Sequence, residues 1–205
     1  MQKSILVMST VLVFACVFSV SAMHHEGAAK TQPKAATQPA TQPGAHAPMP
    51  HASAVKHAVA VMVSTEGNTA HGVLRFVQTD TGVHITADIS GLSANASHAI
   101  HIHEYGDLTA NDGTSAGGHY NPEGHDHGLL EQEARHAGDL GNLTTDADGN
   151  AQLDLTVDNI TVAGMHNPII GRGVIIHAKV DDGGQPTGNA GPRISMGVIG
   201  IAKNP

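Results

Sequence analysis

The stretch HAIHIHEYGD, His98 to Asp107, alternates imidazole and aliphatic side chains. In a β-strand, residues two apart point to the same side. Ile100 and Ile102 can therefore face an interior while His101 and His103 converge on something outside it. Spacing alone does not make a site of such a pair, since most His-x-His pairs are surface residues or polar residues already satisfied. Further ligand-type side chains have to come from elsewhere in the chain.

They come from two places. GGHYNPEGHDHG (117–128) and RHAGD (135–139) put His119, His125, His127, His136 and Asp139 into one irregular connection, roughly residues 104–140. A compact domain does not carry so long a connection without something to order it. A zinc ion in a tetrahedral nitrogen and oxygen site would staple it. GVIIHAKVDD (173–182) then sets His177 on a further strand. Histidines from two strands and one loop can thus gather on one side of a β-structure.

The rest of the chain from His57 onward has the same texture. HAVAVMVS, HGVLRFVQT, GVHITADIS, AQLDLTV and ISMGVIGIA are short β-branched runs, separated by breaks such as TEGNT, TDTG, DADGN and DDGGQPTGNAG. Many short strands with frequent turns predict an all-β sandwich or barrel. No stretch carries a 3.6-residue apolar period. With five aromatic residues in the whole chain, the core must be built mainly of Val, Ile, Leu and Ala.

Residues 1–56 are of a different kind. Lys3, the apolar run Ile5 to Val20 and Val20-Ser21-Ala22 predict a secretory signal peptide over residues 1–22, cleaved after Ala22. The run is too short for the ~20 residues of a spanning helix. Cys16, the only cysteine, could instead carry a lipid anchor, although Phe14 is bulky for that type of cleavage and the apolar run continues past it. In either case the exported domain, periplasmic or extracellular, has no internal disulfide, which is unusual for a compartment that allows one. Residues 23–56 repeat TQP three times among Ala, Pro and Lys and predict a disordered, His/Pro-rich tether. Cleavage after Ala22 would leave Met23-His24-His25 at the new amino terminus. Its amine, two backbone nitrogens and the imidazole of His25 could form a square-planar Cu(II) site.

Charge narrows the partners. From residue 57 onward there are six basic against seventeen acidic side chains, a balance of −11. So acidic a domain argues against nucleic acid, whose phosphates need clustered Lys and Arg. Bound metal cations would offset part of it.

HAIHIHEYGD, TSAGGHYNP (114–122), RHAGDLGN (135–142), IIGRGVIIHAKVDD (169–182) and TGNAGPRISMGVIGIA (187–202) together resemble copper–zinc superoxide dismutase, in the family's order. The resemblance covers about residues 57–203 and implies an eight-stranded Greek-key β-barrel with long metal-binding loops over 57–205. It implies that His101, His103, His119 and His177 bind copper, and that His119, His127, His136 and Asp139 bind zinc, His119 bridging the two. Asp181 matches an aspartate that links His101 and His127, Thr187 a residue narrowing the channel, and Arg193 the arginine that receives the superoxide anion. His98 matches a structural histidine. His125 matches nothing in the family and reads as solvated, with a metal role as the alternative.

The activity implied is the conversion of superoxide to oxygen and hydrogen peroxide by alternate reduction and oxidation of copper. His119 would leave copper on reduction and take up a proton, while zinc holds the ring. The alternative is a non-catalytic copper and zinc module, a store or chaperone, on the same barrel; retention of Arg193 speaks against it, because a binder needs no anion-docking arginine. A tethered structural domain with surface histidines would require several matching motifs to be accidental. Both a homodimer and a monomer are compatible with the sequence.

Two departures from the family pattern stand out. The segment from Asp181 to Arg193 is short and lacks the two glutamates and the lysine that often guide substrate there; Pro186 stands where the lysine usually does. The disulfide that normally ties the loop before the bridging histidine to the last strand is replaced by Gly113 and Met196. Zinc and packing around Met196 are expected to take over that anchoring.

Overall fold

The computed structural model describes residues 55–204. The signal peptide, Cys16, nearly all of the tether and its copper-site candidate lie outside the described residues.

Alternation of apolar and polar residues builds the strands. In β1 (His57–Ser64), Ala58, Ala60 and Met62 turn inward and are buried, and β3 (Gly82–Ser90) buries Val83, Ile85, Ala87 and Ile89 in the same way. Between them runs β2 (His71–Thr79), followed along the chain by β4 (Ser97–His103), β5 (Asp139–Thr144), β6 (Ala151–Val157), β7 (Gly173–His177), β8 (Arg193–Val198) and the short β9 (Gly200–Ile201). All pairings between these strands are antiparallel, in the order β5-β4-β7-β8-β1-β2-β3-β6, with β9 alongside β1. The β3–β6 and β4–β7 neighbours are crossovers, which makes the sheet a Greek key curled into a nearly closed barrel.

Aliphatic side chains fill the barrel: Leu74, Ile85, Ile89, Ile100, Ile102, Leu143, Val174 and Ile176 are buried around Phe76. Each such side chain contributes about 1.5–3 kcal/mol by leaving water. The residues of β4 divide as their alternation predicts, with Ile100 and Ile102 in this core. Its outer face is not open, however. His101 is 0% and His103 1% exposed, because the connection after β4 folds back over the strand.

That connection holds a single 3-10 turn, Thr114–Ala116, among the described residues. It ends at residue 138, two residues short of the 104–140 span expected from sequence, because Asp139 already opens β5. DLGNLT lacks the continuous β-branched signal of the other strands; Gly141 has a positive φ of 80° and the β4–β5 register shifts between Ala99 and His101. A broken register with a glycine in it is how this strand escaped its sequence pattern.

Candidate metal centre

Three main chains lock the long loop onto β4. Ile102 N–H donates to Gly138 O (2.8 Å), Gly138 N–H to Tyr120 O (2.9 Å) and Tyr120 N–H to Ile102 O (2.9 Å). The approach is so close that a Cβ on residue 138 would sit 2.1 Å from Ile102 O, so glycine is required there. His119 bridges to His103 beside this ring, and His136 and Asp139 flank Gly138. His177 ends β7, the strand hydrogen-bonded to β4 on its other side.

The result is two groups of ligand-type side chains sharing one member. Ligand atoms of His101, His103, His119 and His177 lie within 4.8 Å of one another, and so do those of His119, His127, His136 and Asp139. All seven residues are buried.

Hydrogen bonds fix the ring tautomers. His103 Nδ1–H donates to Gly117 O (3.0 Å) and His177 Nδ1–H to Gly191 O (3.1 Å). His101 and His127 donate from Nε2 to the two oxygens of Asp181, at 2.8 and 2.9 Å. Each assignment leaves the other nitrogen of the ring as a lone pair: Nε2 on His103 and His177, Nδ1 on His101 and His127. Those four atoms are buried without a hydrogen-bond partner. Buried acceptors left bare cost about 1–3 kcal/mol each, and a metal ion is what this donor set fits.

Distances in the second group match a tetrahedral site. Asp139 Oδ1 is 2.9 Å from His119 Nδ1 and 3.2 Å from His136 Nδ1, Asp139 Oδ2 is 3.0 Å from His127 Nδ1, and His119 Nδ1 is 3.3 Å from His136 Nδ1. A tetrahedron with ligand distances near those of zinc has edges of about 3.3 Å. Asp139 Oδ2 is further held by the backbone N–H groups of Gly128 and His136. With Nδ1 of His119 committed here, Nε2 is its nitrogen available to the first group.

Burial also keeps three histidines of the first group unprotonated. It lowers His101 to about 4, His103 to about 2 and His177 to about 3. At neutral pH their lone pairs are therefore free for a cation. Burial alone would raise the Asp139 and Asp181 carboxyls, but the imidazole N–H and backbone hydrogen bonds they accept outweigh it and hold both below the usual carboxylate range.

Asp181 joins the two groups because its carboxylate accepts from one ring of each. An amide in its place offers one acceptor and one donor. In Asp181→Asn, either His101 or His127 must give up its hydrogen bond or move its proton onto the nitrogen that faces the metal. The expected result is a 10–100-fold weaker hold on the metal of that subsite, measured by competition against a chelator of known affinity.

A cavity of about 170 Å³ opens over the first group, lined by His103, Gly118, His119, His177, Thr187, Ala190, Gly191 and Arg193. Arg193 is its one permanently charged side chain. The guanidinium donates to the carbonyls of Gly113 and Gly117, each at 2.6 Å. A larger cavity of about 740 Å³, between Glu131 and Asn159, contains none of the seven residues.

The structure thus brings together His101, His103, His119, His127, His136, Asp139, His177, Asp181, Thr187 and Arg193. It leaves out His98, which is buried and donates from Nδ1 to the His177 carbonyl (2.9 Å), and His125, which is exposed and bonded locally to Asn121 and the Arg135 carbonyl. Two amides were not legible as part of the site. Asn142 bonds both the N–H and the C=O of Asp181, and Gln185 does the same to His127. Nothing in sequence separates them from ordinary loop amides; only the apposition of distant segments reveals them.

Gly113 and Met196 do face each other. A Cβ on Gly113 would lie 3.6 Å from Met196 Sδ and 3.5 Å from Ile175 Cδ1, and Met196, Ile175 and Ala116 form a small buried apolar cluster with Leu108 against it.

Residues 70–199 match the family model described as copper/zinc superoxide dismutase. The chain is 51% identical over 125 residues to a copper–zinc superoxide dismutase of Claviceps purpurea (strain 20.1), covering 58% of this chain and 80% of that one. It is 47% identical over 140 residues to one from Paramecium bursaria Chlorella virus 1, covering 64% and 73%. Against one from Cryptococcus neoformans var. grubii the identity is 43% over 152 residues, covering 70% and 97%.

Proposed function

The chain belongs to the copper/zinc superoxide dismutase family, and from that premise we propose a division of labour among its residues for the removal of superoxide. His101, His103, His177 and His119 would hold copper, and His119, His127, His136 and Asp139 would hold zinc. The observation that carries this division is the set of four buried lone pairs with no hydrogen-bond partner in the protein, three in the first group and one in the second, the two groups sharing one imidazole.

The reaction consumes two superoxide anions and two protons and yields one oxygen and one hydrogen peroxide. Copper, when bound, supplies the redox chemistry, accepting an electron from one anion and returning it to the next. The chain's own residues do the rest. Arg193, fixed by the Gly113 and Gly117 carbonyls, docks the anion in the 170 Å³ cavity beside His119. Thr187 at the same cavity restricts it to small ligands. His119 Nε2 would be the nitrogen placed to take up and deliver a proton beside the docked anion, its Nδ1 staying committed to the second group with His136 and Asp139. Asp181 keeps the outer nitrogens of His101 and His127 protonated, so neither ring can turn its lone pair away.

Metal-loaded full-chain protein is expected to remove superoxide far faster than metal-free protein in pulse-radiolysis or stopped-flow assays; equal rates would end this reading. Arg193→Ala is expected to lower the second-order rate by about 10–100-fold and to flatten its dependence on ionic strength, since no other permanent cation lines the cavity. An unchanged salt slope would mean that the field comes from elsewhere.

The charged leader, its apolar run and Val20-Ser21-Ala22 support export to a periplasm or the extracellular space, with the lipid anchor at Cys16 as the alternative. Among the described residues no helix is long and apolar enough to cross a membrane. A homodimer is supported by Val61 (62% exposed), Val63, Val198 and Ile201 on adjacent strands β1, β8 and β9. Solvent-facing positions of a strand ordinarily carry polar residues, and exposed apolar side chains gathered on adjoining strands fit a second copy. Val61→Lys with Val198→Lys is expected to convert dimer to monomer in analytical ultracentrifugation while leaving both metals bound.

A further inference from the structure

The loop between Asp181 and Arg193 reads as a loss, since it is short and lacks charged guides. Its geometry assigns it a gain. The Gln185 side-chain amide clasps the main chain of His127 on both sides: His127 N–H donates to Gln185 Oε1 (3.1 Å) and Gln185 Nε2 donates to His127 O (2.8 Å). The two residues are 58 positions apart in sequence and share no strand. Resting on the zinc-ligand reading above, we infer that Gln185 is a positioning residue for the zinc subsite, aiming His127 Nδ1 by holding its backbone.

Three features of the surroundings give the clasp its purchase. The loop is internally tied, with Asp182 N–H donating to Gly188 O (3.1 Å), Gly188 N–H to Gly184 O (2.6 Å) and Gly183 N–H to Asp181 Oδ1 (2.9 Å). It also lies directly on the Asp181–His127 pair: a Cβ at Gly188, whose φ is +72°, would stand 2.1 Å from Asp181 Oδ1 and 2.8 Å from His127 Nε2. A matching amide works on the other partner, where Asn142 binds the N–H and C=O of Asp181 at 2.8 and 3.0 Å. His127 and Asp181 thus meet side chain to side chain, with a side-chain amide gripping each backbone from behind.

Without Gln185, the ring of His127 is still anchored at Nε2 by Asp181, but its own N–H and C=O lose their partner, and the nearest main-chain tie left is Gly128 N–H to Asp139 Oδ2. The copper subsite depends on the loop far less, because three of its four members, His101, His103 and His177, sit on strands. The effect of losing the clasp is therefore selective for one metal. A residue acting only by general stiffening would loosen both.

The test uses the full chain loaded with copper and zinc, and Gln185→Met, which preserves length and removes the amide. Zinc release to a chelator is expected to accelerate about 10–100-fold, with copper release within about threefold of wild type. Cobalt(II) in the zinc subsite should show altered visible bands. Gln185→Asn, one methylene short, should fall between the two and serves if the Met variant does not fold. Unchanged zinc release in Gln185→Met, wild-type zinc release in Gln185→Asn, or equal acceleration of both metals overturns the inference. His136→Ala is the control: if it releases zinc no faster than wild type, the ligand reading itself falls and takes the clasp with it.

Discussion

His119→Ala is expected to reduce superoxide removal by about two orders of magnitude or more, the largest effect of any single substitution in this protein. Every other ligand serves one subsite; His119 belongs to both. Its loss opens a corner of each coordination set at once, and it removes the ring nitrogen that carries a proton beside the docked anion. The substitution also leaves Asp139 Oδ1 without its 2.9 Å partner and His136 Nδ1 without its 3.3 Å neighbour. Zinc affinity should fall together with activity. The measurement is the rate of superoxide loss at matched copper content, beside zinc affinity by chelator competition. A variant that keeps wild-type zinc affinity while losing activity would show that the imidazole is not shared.

The second large effect is on stability. Removing zinc is expected to lower the melting temperature by about 10 °C or more. A ligand present at a thousand times its dissociation constant stabilises the fold by about 4 kcal/mol, and each kcal/mol moves a domain of this size by roughly 2–4 °C. The structure gives zinc an unusual share of this work. The loop carrying three of its ligands has no strand of its own and is held to the barrel by the Ile102–Tyr120–Gly138 ring, by Arg193 and by the Met196 cluster. A missing disulfide from such a domain typically costs about 2–5 kcal/mol; the van der Waals cluster that replaces it restrains the loop less. Without zinc, Asp139 also loses the cation its two oxygens face. Calorimetry of zinc-free and zinc-loaded protein at equal copper checks this, and a shift of only a degree or two would mean that packing alone anchors the loop.

The alternation in HAIHIHEYGD carried most of the fold, because period two is a property of the chain that needs no partner to be read. It placed Ile100 and Ile102 in the core. It did not foretell that His101 and His103 would be fully covered, since cover is supplied by a loop whose path depends on three main-chain hydrogen bonds between distant segments. The strand beginning at Asp139 was hidden for a related reason: Gly141 and the register shift beside it erase the β-branched signal. Ligand-type residues were legible by type and grouping, and their pairing into two sets came from the family resemblance. The side-chain amides of Asn142 and Gln185 left no trace in sequence. An amide that binds backbone is indifferent to the side chain of the residue it grips, so that residue's identity does not announce the contact.

The apposition of Gly113 and Met196 bears on how the molecule matures in the cell. With no thiol beyond Cys16 in the chain, the barrel needs no thiol oxidant or disulfide isomerase to reach its native form, and reductants have no disulfide in it to break. Supply of the two ions then takes the place that thiol oxidation holds in disulfide-tied domains as a checkpoint on maturation.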